Sequence, residues 1–283
     1  AALEQEWKNL LQNHFHDILC GTSIERVNEE ALALYGKLLE TTGAMIRESA
    51  SALADAGKDN NRISIFNTFS WERSLVTELP EMFSGGAVTL DGKQIPVTQI
   101  DGKVYGYVTL PSCGCEVLLP GNSEEAELPS VKITEIQAGW QLENSKIKAV
   151  INTNGEVISY ISKESGREFA KEPMNRFHLY KDLPRLFDAW DFDAPYEEQE
   201  IELNHKAQIR ILESGGLRGI LRVEKTIGNS SLSQDIILDA QSEVLIFRTK
   251  MQWNELHRLL KVNFPVNVYA NEAINEIQFG YIK

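Results

Sequence analysis

The hydrophobic pattern of this chain changes period once, at the polar break Lys58-Asp59-Asn60-Asn61, and this change decides how the chain can fold. Before the break apolar residues recur at helical spacing; after it they alternate in short runs. In residues 3–19, Leu3, Trp7, Leu10, Leu11, Phe15 and Ile18 share one arc of the helical wheel, which predicts one amphipathic helix. Thr22 and Glu25 then stand at capping-box spacing. A second stripe runs through Ile24, Val27, Ala31, Leu34, Leu38, Met45 and Leu53 towards Ala56, with Gly57 as its stop. Two such helices cannot bury both stripes on each other. A further helix or domain is expected to cover them, so the chain reads as incomplete at its N-terminus.

Beyond the break, residues 62–66 and 75–79 read as strands joined by a turn at 67–70. Asp91-Gly92 and Asp101-Gly102 each mark a hairpin, and residues 116–119 close a small all-β unit. Residues 120–129, acidic and bounded by prolines, read as a linker. Strand patterns then recur at 131–136, 146–151, 157–161, 209–212, 218–226, 233–238 and 244–253, separated by glycine and asparagine turns. Strands in this number without helices between them imply a large antiparallel sandwich. The expected organisation is a helical-bundle segment (1–57), a small β domain (61–122) and a large β-sandwich (130–283). Residues 277–282 read as an unfinished strand, so the C-terminus is expected to be trimmed as well.

Composition narrows the function. A net charge of −13, with no Lys/Arg-rich run, excludes a nucleic-acid partner of the usual phosphate-binding kind. No apolar run reaches membrane-spanning length, so no membrane partner is expected. Three cysteines do not make a disulfide framework, and Cys113-Gly114-Cys115 without a second pair is not a zinc ribbon. No G-x-S-x-G, P-loop, H-E-x-x-H or dinucleotide-binding glycine pattern occurs.

Side chains capable of chemistry concentrate where the first helix should end, in Asn13-His14-Phe15-His16-Asp17-Ile18-Leu19-Cys20-Gly21-Thr22-Ser23. On the wheel His14 falls inside the apolar arc and reads as packed in a bundle interface. His16 points to roughly the opposite side, where no core role explains it. A second cluster, Asp188-Ala189-Trp190-Asp191-Phe192-Asp193 with Arg185 upstream, reads first as a polar loop anchored by a buried tryptophan. Its second reading is a sugar-binding surface, an aromatic face flanked by carboxylates. Glu255, His257 and Arg258 are spaced for an ion-pair network, and Trp71 for a packed strand end. His178 and His205 stand isolated.

The segment from His14 to Ile24 resembles the HD-I-x-G-[ST] motif of family 38 glycoside hydrolases, the class II α-mannosidases. Many bacterial members have proline where this chain has Cys20, a difference expected to affect only the turn. The stretches Asn67-Thr68-Phe69-Ser70-Trp71-Glu72-Arg73, Phe187-Asp188-Ala189-Trp190-Asp191 and Trp253-Asn254-Glu255-Leu256-His257-Arg258-Leu259-Leu260-Lys261 are similar to further segments of the same family. The resemblance implies hydrolysis of terminal α-mannosides with retention, and a mutarotase-like super-sandwich for the β region. It implies that His16 is a ligand to a divalent metal, usually Zn2+, and that Asp17 contacts the mannose. It also implies that the nucleophile and the acid/base lie in an N-terminal α/β domain outside this chain. Asp188, Trp190 and Asp191 are then weaker, substrate-side candidates and not catalysts. The implied partner is a mannose-containing oligosaccharide or mannoside, in a cytoplasmic protein for which a homo-oligomer stays open. By itself the chain is expected neither to hold zinc firmly nor to hydrolyse a glycoside. Two alternatives stand beside this reading: a carbohydrate-binding or structural β module, and a mannosylglycerate-type hydrolase of the same family.

Overall fold

The computed structural model describes residues 2–54, 61–122, 130–188 and 190–283. The chain divides into two compact units. The first comprises Ala1–Arg73, Leu110–Leu119 and Asp182–Glu198, and the second Ser74–Thr109, Pro120–Lys181 and Gln199–Lys283.

Three helices lead the first unit: α1 (Ala2–Asn13), α2 (His16–Leu19) and α3 (Glu25–Leu53). The single helix expected over residues 3–19 is thus broken. Asn13 turns inward and its amide donates to the Ala31 carbonyl of α3 (3.2 Å), while Phe15 adopts an extended conformation (φ −56°, ψ 140°) that ends one helix and starts the next. His14, expected in a bundle interface, is exposed, because buried Asn13 occupies the inward position next to it. The capping box does not form. Ile24 occupies the N-cap of α3 without a side-chain bond, and the Thr22 hydroxyl turns back to Asp17 instead. The expected stop at Gly57 lies outside the described residues.

The same unit contains strand β1 (Ile63–Phe66), paired antiparallel with β7 (Cys115–Pro120). Buried Asn67 ties the loop between them. Its amide donates to the carbonyls of Trp71 and Pro111 (2.8 Å each), and its oxygen accepts from the Phe69 N–H (3.1 Å). Trp71, expected to be packed, is exposed and leans on Phe69. The anchor of this stretch is the asparagine.

The second unit is built of antiparallel strands. Both Asp-Gly hairpins are present, joining β3 (Ala87–Thr89) to β4 (Gln94–Ile95) and β5 (Val97–Ile100) to β6 (Lys103–Leu110). The strand β2 (Arg73–Leu79) lies beside β6. The linker expected at 120–129 falls largely outside the described residues. Beyond it two four-stranded sheets share one core. One has the order β11-β10-β9-β8, from β8 (Lys132–Ile136), β9 (Gly139–Glu143), β10 (Ile147–Ile151) and β11 (Val157–Ser162). The other has the order β14-β15-β16-β17, from β14 (Gln208–Glu213), β15 (Arg218–Ile227), β16 (Ser230–Asp239) and β17 (Leu245–Gln252).

Ile133, Leu142, Ile147 and Ile151 of the first sheet pack with Leu221, Val223, Ile236 and Leu238 of the second, which makes the expected sandwich. Gly219 permits the approach, since a Cβ there would stand 2.7 Å from a Val131 methyl. A third sheet, β13-β12-β18, runs through β13 (Glu200–Ile201), β12 (Arg176–Lys181) and β18 (Arg258–Asn263). The unfinished strand expected at 277–282 is instead a hairpin of β19 (Asn275–Ile277) and β20 (Gly280–Ile282), turned at Phe279 (φ +60°). The fold is mainly β with several antiparallel sheets.

Candidate functional site

The helix break that overturned the simple helix reading also builds the site. Ending α1 at Asn13 and restarting at His16 puts His16 and Asp17 in the first turn of α2. The His16 imidazole is largely exposed, stacks at a tilt on Phe15 (4.3 Å between centroids) and directs Nε2 to Asp17 Oδ2 at 3.4 Å. The other carboxylate oxygen of Asp17 accepts from the Thr22 hydroxyl at 3.2 Å. The backbone repeats this tie, with the Thr22 N–H donating to the Asp17 carbonyl at 3.0 Å. Gly21 makes the return possible by taking a left-handed conformation (φ +76°). Cys20 occupies the turn as expected, its thiol donating to the His16 carbonyl. Thr22, read from the sequence as a helix cap, instead orients Asp17. A hydroxyl five residues beyond a carboxylate, across a glycine, was the signal available for it.

The second cluster meets the first. The Trp190 indole N–H donates to the Thr22 carbonyl at 3.3 Å, so the Asp188–Asp193 loop is tied to the turn that carries Asp17. The tryptophan is exposed and not the buried anchor expected, at 66% of its full accessibility. The loop holds itself by other means. Phe187 is left-handed (φ +58°), its carbonyl accepts from the N–H groups of Trp190 (2.7 Å) and Asp191 (3.0 Å), and Arg185 pairs with Asp193 at 3.1 Å. The Asp191 carboxylate accepts from the Phe192 N–H at 2.9 Å, and Asp188 is exposed. Asp17, Thr22 and Trp190 are therefore linked, while Asp188 and Asp191 are positioned by their own loop.

The remaining candidates resolve differently. Glu255 accepts from the Asn229 N–H (2.6 Å) and the Ser230 hydroxyl (3.0 Å), and Arg258 donates to the His257 carbonyl (2.8 Å). No ion-pair network joins these residues, because His257 is left-handed (φ +53°) and the chain turns there. His178 is not isolated: its Nδ1 lies 2.6 Å from Glu200. Among the described residues no group of three His, Cys, Asp or Glu side chains is placed to hold a metal, and no helix is long and apolar enough to cross a membrane.

Helices α1–α3, several antiparallel sheets and an exposed His16 beside half-buried Asp17 at a helix break define a mainly β protein with a helical N-terminal part. Comparison with known proteins gives the class its name. Residues 142–283 match the glycosyl hydrolases family 38 C-terminal domain, and residues 1–53 match the alpha mannosidase middle domain. The chain belongs to glycoside hydrolase family 38. It is 32% identical over 293 residues to Alpha-mannosidase 2C1 of Homo sapiens, covering 100% of this chain and 26% of that protein. To Alpha-mannosidase G of Dictyostelium discoideum it is 28% identical over 322 residues, covering 99% and 29%. To Alpha-mannosidase of Saccharomyces cerevisiae it is 24% identical over 293 residues, covering 99% and 24%. The chain thus spans about a quarter of the length of the curated relatives it matches.

Proposed function

We propose that this chain works within a retaining α-mannosidase that removes terminal α-linked mannose, with His16 as a metal ligand and Asp17 as a contact to the sugar. The observation that carries the reading is exposed His16 beside half-buried Asp17 at the helix break, the carboxylate already oriented by Thr22. A solvated imidazole nitrogen beside a carboxylate suits zinc or a similar divalent ion. One imidazole and one carboxylate are at most two of the ligands such an ion needs, so the others come from outside this chain. When bound, such an ion would supply electrostatic stabilisation beside the nucleophile.

The chain's own residues bind and orient. Asp17 accepts a hydroxyl proton of the sugar, and Thr22 holds the carboxylate still while it does so. Trp190, tied to the same turn, offers an open aromatic face to pyranose C–H groups. Retention requires a nucleophile and an acid/base about 5–5.5 Å apart, both assigned here to a domain outside this chain.

Replacing His16 by Ala in the full-length protein tests the reading through two readouts, metal content and hydrolysis of a p-nitrophenyl α-mannoside. Loss of both, with folding intact, is expected. Retention of both would return the chain to a carbohydrate-binding or structural β module. Preference for mannosylglycerate over the aryl mannoside would move the substrate within the family and leave His16 and Asp17 in their roles.

A further inference from the structure

Two apolar clusters of the second unit meet across a polar layer. Val157, Met174, Val223 and Ile236 belong to one, with Ala207 packed on it; Phe177, Ile227 and Leu232 belong to the other, with Leu203 packed on it. Each stretch of chain that runs from one cluster to the other carries a polar side chain at the crossing. On β15 it is Lys225, between Val223 and Ile227; on β16 it is Gln234, between Leu232 and Ile236. On the segment 202–207, which leads into β14, it is part-buried His205, between Leu203 and Ala207. Asn175 and Arg176 stand between Met174 and Phe177, and Glu156 precedes Val157. The neutral members are satisfied: the Asn175 amide donates to the Gln234 side-chain oxygen (2.7 Å) and to the Gly155 carbonyl (3.0 Å), and the Gln234 amide donates to Thr249 (2.8 Å). The charged members are not. Lys225 is 8% exposed and, among the described residues, makes no hydrogen bond or ion pair; its ammonium lies over the Phe177 ring at 5.3 Å. Lysine is rarely buried so deeply without a partner, because an unpaired ammonium loses its hydration. Arg176 Nε is buried without a hydrogen-bond partner, 3.9 Å from Glu156. Glu156, 4% exposed, is engaged a second time, accepting from Asn152 at 2.8 Å.

We propose that this layer is an acid-sensitive latch, in which a proton on His205 adds a third cation beside Lys225 and Arg176 and frees the segment 202–207 from the boundary between the two clusters. The charges that act on His205 come from every side of the layer: Arg176 and His178 on β12, Lys225 on β15, and the opposing carboxylate of Glu156 before β11. His178 has its own counter-charge in Glu200 of β13, 2.6 Å away, so Glu156 is left to balance the other three. One buried carboxylate cannot do so, and burial withholds the water that would screen them. Burial first, and then the charge of Arg176, hold the His205 imidazole below its ordinary 6.5. A histidine depressed in the folded state stabilises fully above its unfolded value, and that stability is lost as pH falls through the folded one. The latch is therefore closed at neutral pH and opens on acidification.

The test is an NMR titration of the 283-residue chain from about pH 8 to about pH 5, following the His205 ring together with the methyl groups of Leu203, Ala207 and Ile236. The expected result is that the Leu203 and Ala207 methyls move to random-coil positions in the window where His205 titrates, below 6.5, while Ile236 stays packed. In that window the open population should rise by up to about tenfold per pH unit. His205→Gln should keep both methyls packed throughout. Lys225→Met, which removes a buried cation without shortening the side chain, should bring the His205 titration up towards 6.5 and leave the methyls packed. Methyls that stay packed while His205 titrates in the unaltered chain overturn the latch, and so does an Ile236 methyl that moves with them, which would be global unfolding. Release that persists in His205→Gln overturns it as well. If that variant does not fold, release at an unchanged pH in Lys225→Met does the same.

Discussion

Asn144 shows at the scale of one residue how little of this fold's polar framework is advertised by residue type. It is 4% exposed, and its side chain serves four backbone groups. The oxygen accepts from the N–H groups of Lys146 and Ile147, and the amide donates to the carbonyls of Asp239 and Ser242, each at 2.8–2.9 Å. One amide thereby joins the turn before β10 to the end of β16, across the sandwich. Asn144→Ala removes the partner of the buried Ile147 N–H and of three part-buried backbone groups and should cost about 2–4 kcal/mol, read as a lower midpoint in urea with unchanged slope. Unaltered stability would mean that water replaces the asparagine. Asn67 plays the same part in the first unit, where the sequence reads it only as the start of a turn at 67–70. The residues of the His16-Asp17 segment marked it only as a possible site, because one unbroken stripe through Phe15 and Ile18 hid the helix break, and the roles given to the pair come from the family resemblance. The exposure of Trp71 and Trp190 was not legible, because an aromatic residue in a sequence looks buried by default and only tertiary contacts decide.

Elements depend on single positions of two kinds. Glu168 lies beside β11 and accepts from the Ser159 hydroxyl (2.5 Å) and the N–H groups of Tyr160 (2.7 Å) and Ala170 (2.9 Å). Burial pushes its carboxyl up, but these hydrogen bonds outweigh burial and hold it below its ordinary value of 4.5. A carboxyl depressed in the folded state stabilises above its unfolded pKa, and that stability is lost as pH falls through the folded value. The stability gap between the unaltered chain and Glu168→Gln should therefore be full at pH 7 and close on acidification below about pH 4.5. A gap independent of pH in denaturant titrations would show that packing, not charge, is the cause. Gly139 opens β9 at φ +131°, and a Cβ there would stand 2.1 Å from the Ile151 carbonyl oxygen. Gly139→Ala should cost about 3 kcal/mol or more, since backbone must move, and a thermal midpoint within a degree or two of the unaltered chain would refute this. Strands with clean alternation, such as β6 and β15, were readable from sequence. β9, β12 and β18 were not: a left-handed glycine starts the first, charged ends frame the second, and adjacent Leu259 and Leu260 break alternation in the third.

At the scale of the molecule, helix α3 carries an apolar surface that the fold around it does not explain. On α3, Leu32, Leu39, Ile46 and Leu53 recur every seven residues and are 72%, 74%, 68% and 75% exposed. The inward positions of the helix are filled separately, by Ala31 and Leu38. The helix therefore carries two apolar edges, one buried on its own unit and one open. A seven-residue spacing brings side chains to one seam of a helix, the geometry that packs against a second helix. Each leucine or isoleucine left in water forgoes about 1.5–3 kcal/mol of burial, so a seam of four is a strong drive to associate. The 283-residue chain, purified alone, should form dimers or larger species at micromolar concentration, measured by light scattering on a sizing column. Leu39→Glu with Ile46→Glu, both already exposed, should return it to a monomer without lowering its unfolding midpoint, because neither side chain contributes to the buried face. If the unaltered chain is itself monomeric at high concentration, the seam is too weak to hold two copies, and self-association through α3 is excluded.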